Sequence, residues 1–129
     1  MKKILLALIA TMALANADVT NVVASKAFLG KNIKIIDVRT SGEWASTGVI
    51  KGAYTIMFFD ERGEAKEAAF RAKLNKIIKK NEKFAIICRT GARTGAIAKI
   101  LDNDYDIINL QGGMVRLMQE GYKPVPYKR

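Results

Sequence analysis

The sequence predicts an α/β domain around a largely parallel sheet, and three observations carry that prediction. Short apolar, β-branched runs alternate along the chain with stretches of helical spacing. The apolar runs lack polar alternation, the pattern of strands covered on both faces. A chain of 129 residues, 50% hydrophobic and 26% charged, supplies one core and leaves little for a second domain.

The elements follow in order. Residues 22–29 have weakly helical spacing, and residues 33–38 (IKIIDV) form a short apolar strand that ends in Asp37 and Arg39. Ser41 is placed to cap a short helix over residues 41–46, after which Gly48 and Gly52 mark a bend and residues 53–59 read as strand. The clearest helix comes next. Phe70, Leu74, Ile77 and Ile78 share one face, and Arg71, Lys73, Lys76 and Lys79 occupy the other, so this helix belongs on the surface. Residues 84–88 (FAIIC) are a strand ending at the cysteine. Ala96, Ile97, Ile100 and Leu101 then fall at helical spacing, residues 106–110 read as strand, and Met114, Leu117 and Met118 return to helical spacing. Ligands of such sheets bind beyond the carboxyl ends of the strands. Cys88 marks one such end, and Asp37 with Arg39 marks another.

The first residues have a different character. Lys2 and Lys3 precede an apolar run over residues 4–15, and Ala15-Asn16-Ala17 then leads to Asp18. This is the layout of a secretory signal peptide cut after Ala17, with residues 1–17 as leader and 18–129 as the domain. A membrane span needs roughly 20 apolar residues, and Asn16 and Asp18 interrupt this run first; an uncleaved signal anchor is the alternative. The expected location is periplasmic or otherwise exported, with no stable membrane insertion after cleavage.

Loss of the leader lowers the net charge only from +10 to +8, because Lys2 and Lys3 are its only charged residues. Lys73, Lys76, Lys79, Lys80 and Lys83 read as a solvated helix face and its flank, or as a field that concentrates small anions. Nucleic acid is not expected as a partner, since no aromatic-basic reading motif is present. The absence of histidine excludes cysteine-histidine proteases, Ser-His-Asp hydrolases and histidine metal sites. A single cysteine excludes an internal disulfide, a C-x-x-C pair and a thiolate zinc site. No metal or cofactor is expected. An exported chain with one cysteine uses it, buries it inertly, or bridges to another chain.

The surroundings of that cysteine favour use. Between strand and helix the chain reads Cys88-Arg89-Thr90-Gly91-Ala92-Arg93-Thr94. A loop turning directly into a helix aims backbone N–H groups inward, and the helix N-terminus adds about half a positive charge. Gly91 allows the backbone angles of such a nest. Arg89 and Arg93 add full charges, and Thr90 or Thr94 supplies a hydroxyl. All of these favour thiolate over thiol.

This loop resembles the active loop of rhodanese-like sulfurtransferases, a cysteine followed by arginine, glycine and a closing arginine. Upstream, Asp37-Val38-Arg39, Glu43-Trp44 and Gly48-Val49-Ile50-Lys51-Gly52-Ala53 resemble the family's first signature. Downstream, Leu110-Gln111-Gly112-Gly113-Met114 and Gly121-Tyr122-Lys123-Pro124-Val125 are similar to its last segment. Val49 stands where a histidine is common and Leu117 where a tryptophan is common, both outside the loop.

The resemblance implies a rhodanese-like fold, with a mainly parallel sheet of about five strands flanked by helices on both faces. It implies sulfane sulfur transfer through a persulfide on Cys88, the catalytic residue, with Arg89, Thr90, Gly91, Ala92, Arg93 and Thr94 binding substrate. Arg89 and Arg93 would bind a small anionic donor, thiosulfate or polysulfide, and a protein or small thiol would accept the sulfur. Asp37 and Arg39 would pair with and orient loop groups, and Glu43 and Trp44 would be scaffold. Two rivals stay open. A non-catalytic sulfur carrier needs the same persulfide. Cysteine-dependent phosphatases and arsenate reductases place five residues between cysteine and arginine, where this chain has four.

Overall fold

Phe84, Ala85, Ile86 and Ile87 are all buried, and strands on both sides pair with them. This central strand organises the computed structural model, which describes residues 19–128. The proposed leader over residues 1–17 lies outside the described residues.

The elements are β1 (Val19–Val23), α1 (Lys26–Leu29), β2 (Ile35–Asp37), α2 (Ser41–Thr47), β3 (Tyr54–Thr55), α3 (Glu67–Ile77), β4 (Phe84–Ile87), α4 (Ala92–Leu101), β5 (Ile107–Gln111) and α5 (Gly113–Gln119). Five strands form one sheet in the order β1-β5-β4-β2-β3, with every pairing parallel. Register sets Asp37 beside Ile87, so β2 and β4 end together and deliver Val38 and Cys88 to the same edge.

Side chains alternate across the sheet because the strand period is two. Phe84, Ile86 and Cys88 face one core with Phe70 and Leu74 of α3 and Ile97 and Leu101 of α4. Ala85 and Ile87 face the other with Phe28 of α1 and Met114 and Leu117 of α5. Helices thus cover both faces, the condition under which an all-parallel sheet is stable. Helix α3 buries Phe70 and Leu74, with Ile78 just beyond its end, and keeps Lys73, Lys76 and Lys79 in water. No helix among the described residues is long and apolar enough to cross a membrane.

Three local expectations are corrected. Residues 22–29 are not one helix. Val22 and Val23 belong to β1, paired in register with Leu110 and Gln111, and Ser25 caps the short α1 by accepting the Phe28 N–H at 3.1 Å. The apolar spacing there merged an edge strand with a separate turn of helix. Thr40, not Ser41, caps α2. Its hydroxyl accepts the Glu43 N–H at 3.4 Å while Glu43 Oε1 accepts the Thr40 N–H at 3.1 Å, a reciprocal capping box. The strand expected over residues 53–59 shortens to Tyr54–Thr55. Beyond it the chain still donates from Ile56 to Asp37 O at 3.0 Å and from Phe58 to Val38 O at 3.3 Å, so both apolar side chains stay buried.

The two departures from the family pattern are packed residues. Leu117 is fully buried, and Val49 is buried where it exchanges backbone hydrogen bonds with Val125, both 2.9 Å.

Candidate active site

Cys88 follows directly on β4 and is 1% exposed. Three residues later Gly91 takes a left-handed conformation, φ 106°, and caps the ten-residue α4. Glycine is favoured twice over: the angle is strained for any L side chain, and a Cβ there would crowd Gly112 N at 3.1 Å. The turn aims the Gly91 N–H at Cys88 Sγ, which accepts it at 3.1 Å. Thr94, fully buried one turn into α4, holds its hydroxyl 3.7 Å from the sulfur and donates to Gly91 O at 3.1 Å. The sulfur therefore sits at the N-terminus of α4 with the Gly91 N–H donating to it, while the Thr94 hydroxyl, its own proton given to Gly91 O, faces the sulfur as an acceptor.

A second clamp comes from α5. The Met114 and Val115 amides donate to the carbonyls of Cys88 and Arg89 at 2.9 and 3.0 Å. This close approach depends on Gly113, φ 59°, where a Cβ would fall 2.5 Å from both carbonyl oxygens. Gly112-Gly113-Met114 stood in the family-like last segment without an assigned role. Its glycine pair was the available signal, since adjacent glycines mark a backbone approached closely by another.

The closing arginine of the loop is committed elsewhere than expected. Both arms of Arg93 donate to Glu43, Nη1 to Oε1 and Nη2 to Oε2, each at 2.7 Å. The guanidinium fork is filled by a carboxylate of the protein instead of facing a donor. Arg93 holds the Glu43 carboxyl down from the ordinary 4.5 to about 2, against the opposing effect of burial and with help from the Thr40 N–H. Arg93 is raised in turn, chiefly by its hydrogen bonds to Glu43, with the charges of Cys88 and Asp37 adding smaller pulls. Glu43 therefore caps α2 and ties that helix to the end of the loop, a role that sequence reasoning left at scaffold.

Asp37 and Arg39 also differ from expectation. Both are buried, and they pair with each other rather than with loop groups. Asp37 Oδ2 accepts from Arg39 Nη2 at 2.8 Å, and Asp37 Oδ1 accepts from Arg39 Nε at 3.0 Å. The remaining arms of Arg39 donate to Thr47 Oγ1 at 2.7 Å and Gly48 O at 2.8 Å. The pair thus anchors the C-terminal end of α2 to β2, and α2 in turn carries Glu43 to Arg93. A buried charge pair is tolerated when each of its nitrogen and oxygen atoms has a hydrogen-bond partner, as here.

Of the remaining loop residues, Arg89, Thr90 and Ala92 are exposed. Arg89 has no carboxylate partner among the described residues. No group of three or more His, Cys, Asp and Glu side chains lies together as a metal site among the described residues.

A cysteine held at a helix N-terminus, beyond the central strand of a five-stranded parallel sheet, defines a class of α/β domains with a cysteine loop at the carboxyl edge of the sheet. Within that class the chain belongs to the rhodanese-like domain family, whose model matches residues 21–120. It is similar to Protein HIGH ARSENIC CONTENT 1, mitochondrial, of Arabidopsis thaliana, at 26% identity over 110 residues and 83% of this chain. The chain spans 65% of the length of that relative. A rhodanese-like domain protein of Staphylococcus aureus shares the fold with TM-score 0.57 at 28% identity, covering 75% of this chain and 89% of that one. A rhodanese-related protein of Thermoplasma volcanium aligns with TM-score 0.59 at 27% identity, covering 78% of this chain and 93% of that one. Family membership supports a sulfurtransferase-type or related function.

Proposed function

We propose that this protein is a sulfurtransferase that carries sulfane sulfur as a persulfide on Cys88. The observation that carries the reading is the Gly91 N–H on Cys88 Sγ at 3.1 Å, at the N-terminus of α4. A preorganised donor there stabilises a sulfur anion without rearrangement during reaction.

In the loading step, the Cys88 thiolate attacks the outer sulfur of thiosulfate. The donor S–S bond breaks, sulfite leaves with the bonding pair, and the outer sulfur remains on Cys88 as a persulfide anion. An acceptor thiolate then attacks that outer sulfur, and the Cys88 thiolate leaves. Charge balances in both steps, and a nucleophile that enters as the thiolate needs no general base. Arg89, exposed and without a carboxylate partner among the described residues, meets the anionic donor and the departing sulfite. Arg93 acts through Glu43 and fixes the loop. Thiosulfate or polysulfide is the donor class, and a protein or small thiol the acceptor. The leader-like pattern of residues 1–17 supports action outside the cytoplasm.

The test is mass spectrometry of the protein after exposure to thiosulfate or polysulfide, with Cys88→Ser as control. A gain of one sulfur at Cys88, absent in the variant, is the expected result; no adduct from either donor overturns the reading. Repeated turnover with small donors and thiols marks an enzyme, whereas discharge only to a protein marks a carrier. The name of the plant relative refers to arsenic content, so arsenate belongs in the same assay. Thiol-dependent loss of arsenate without sulfur loading would favour an arsenic oxyanion as substrate.

A further inference from the structure

β1 lies at an edge of the sheet, with β5 as its one neighbour among the described residues. Ala24 donates to Gln111 O at 2.8 Å, and backbone groups alternate in direction along a strand, so those of Asn21 and Val23 turn away from β5 to the outer side. Neither residue's backbone meets a partner there among the described residues. Folded proteins blunt such edges with charge, proline or brevity, because an open strand templates another. The opposite edge, β3, is two residues long. β1 has five, Val-Thr-Asn-Val-Val, with neither charge nor proline, and its Val23 is 49% exposed.

The face of β1 toward α4 is open as well. A cavity of about 610 Å³ separates the strand from Gly95 and Ala98 of α4, and a Cβ at Gly95 would meet nothing within 4 Å. Asn21 stands in that cavity, where its Oδ1 accepts from Asn109 Nδ2 at 3.1 Å and its own amide hydrogens are left to donate elsewhere. The order of residues selects the occupant. Laid antiparallel to itself about Asn21, the strand sets Thr20 opposite Val22, Val19 opposite Val23, and Asn21 opposite its own copy. Valine and threonine suit the pleated surface as cross-strand pairs. The chain carries a net charge of +10, and along this uncharged strand two copies meet without like charges.

We propose that the protein forms a two-fold dimer in which β1 pairs antiparallel with β1 of a second copy, joining two five-stranded sheets into one. A self-complementary register is what a two-fold interface requires. Asn21 lies on the axis, where its backbone N–H and C=O exchange hydrogen bonds with those of its mate. The two side-chain amides do the same, which extends the Asn109–Asn21 bond into a row of four asparagines. Val23 of each copy is covered by Val19 of the other. Because the paired strands run in opposite directions, the two Cys88 loops, each at a carboxyl edge, lie at opposite edges of the joined sheet, and both stay open.

Sedimentation equilibrium of the full chain tests this, and the expected result is twice the chain mass. Val23→Lys places an ammonium group in the edge. Asn21→Asp opposes two carboxylates on the axis, yet keeps an oxygen for Asn109 Nδ2. Each should weaken association at least about tenfold, the usual consequence of like or unpaired charge in an interface. Val23→Thr, uncharged and β-branched, should dimerise as the wild type does, and circular dichroism verifies that all three variants keep the fold. A monomer at every concentration up to roughly 1 mM overturns the proposal and leaves the edge to a strand of some other protein. A dimer that both charged variants retain at wild-type strength overturns it too, because the contact then lies elsewhere.

Discussion

Glu43 receives both arms of the Arg93 guanidinium at 2.7 Å, across fifty residues of sequence, and so joins the end of the cysteine loop to α2. Glu43→Gln removes the charge and one acceptor while keeping the shape. Sulfur loading should slow about tenfold or more, because small misplacements of a reacting group are costly. Stability should fall by about 1–2 kcal/mol, since the pair is partly screened by water. Stopped loading assays and urea unfolding measure the two effects separately.

The same carboxylate makes a pH prediction. Its folded value, about 2, lies below the ordinary 4.5, so the unfolded chain takes up the proton first as pH falls. The stabilisation is complete above about 4.5 and is lost as pH drops through the folded value near 2. Unfolding free energies of the wild type and Glu43→Gln should differ by a constant amount at pH 5–7 and converge on acidification toward pH 2. A gap that widens in acid would contradict the assignment.

Gly113→Ala tests the second clamp. A methyl at this position meets the Cys88 and Arg89 carbonyls at 2.5 Å, whereas one at Gly52, also at positive φ, meets nothing within 4 Å. Gly52→Ala should therefore cost only the left-handed strain, about 1–2 kcal/mol. Gly113→Ala should cost more and should also cut sulfur loading, which Gly52→Ala should spare. Thermal unfolding and loading rates of the two variants make the comparison.

The Asp37–Arg39 pair is buried on both sides, and breaking it strands a charge. Asp37→Asn or Arg39→Met should lower stability by about 3–5 kcal/mol, while Asp37→Leu combined with Arg39→Met should recover much of that loss. Chemical denaturation of the three variants gives the answer. Recovery of stability without recovery of loading would show that the pair also positions α2 for Glu43.

Much of this arrangement is written locally. Ile35 and Ile36 and the run FAIIC are apolar on both faces because helices cover both sides of the sheet, and Phe70 and Leu74 mark the buried face of α3. The loop announces itself through Cys88, Gly91 and Arg93 within a few residues. β1 was hidden because its residues are half-buried or exposed without alternation, and its pairing partner β5 lies far along the chain. The pairing of Arg93 with Glu43 and the approach of Gly113 to the loop were hidden for a related reason. Both are contacts between distant segments, and neither leaves a local period to read. The pairing of Asp37 with Arg39 is close in sequence, but burial determines it, and burial is a property of the finished fold.

The clamp from α5 gives the site a place in time. The carbonyls of Cys88 and Arg89 find their donors in Met114 and Val115, near the end of the chain. Until that helix docks, the loop around the cysteine is unfinished, and Cys88, 1% exposed in the completed fold, is open to reagents. The reactivity of Cys88 is thus a chemical clock for completion of the fold: during refolding, pulses of an alkylating reagent would time the docking of α5 at a single atom.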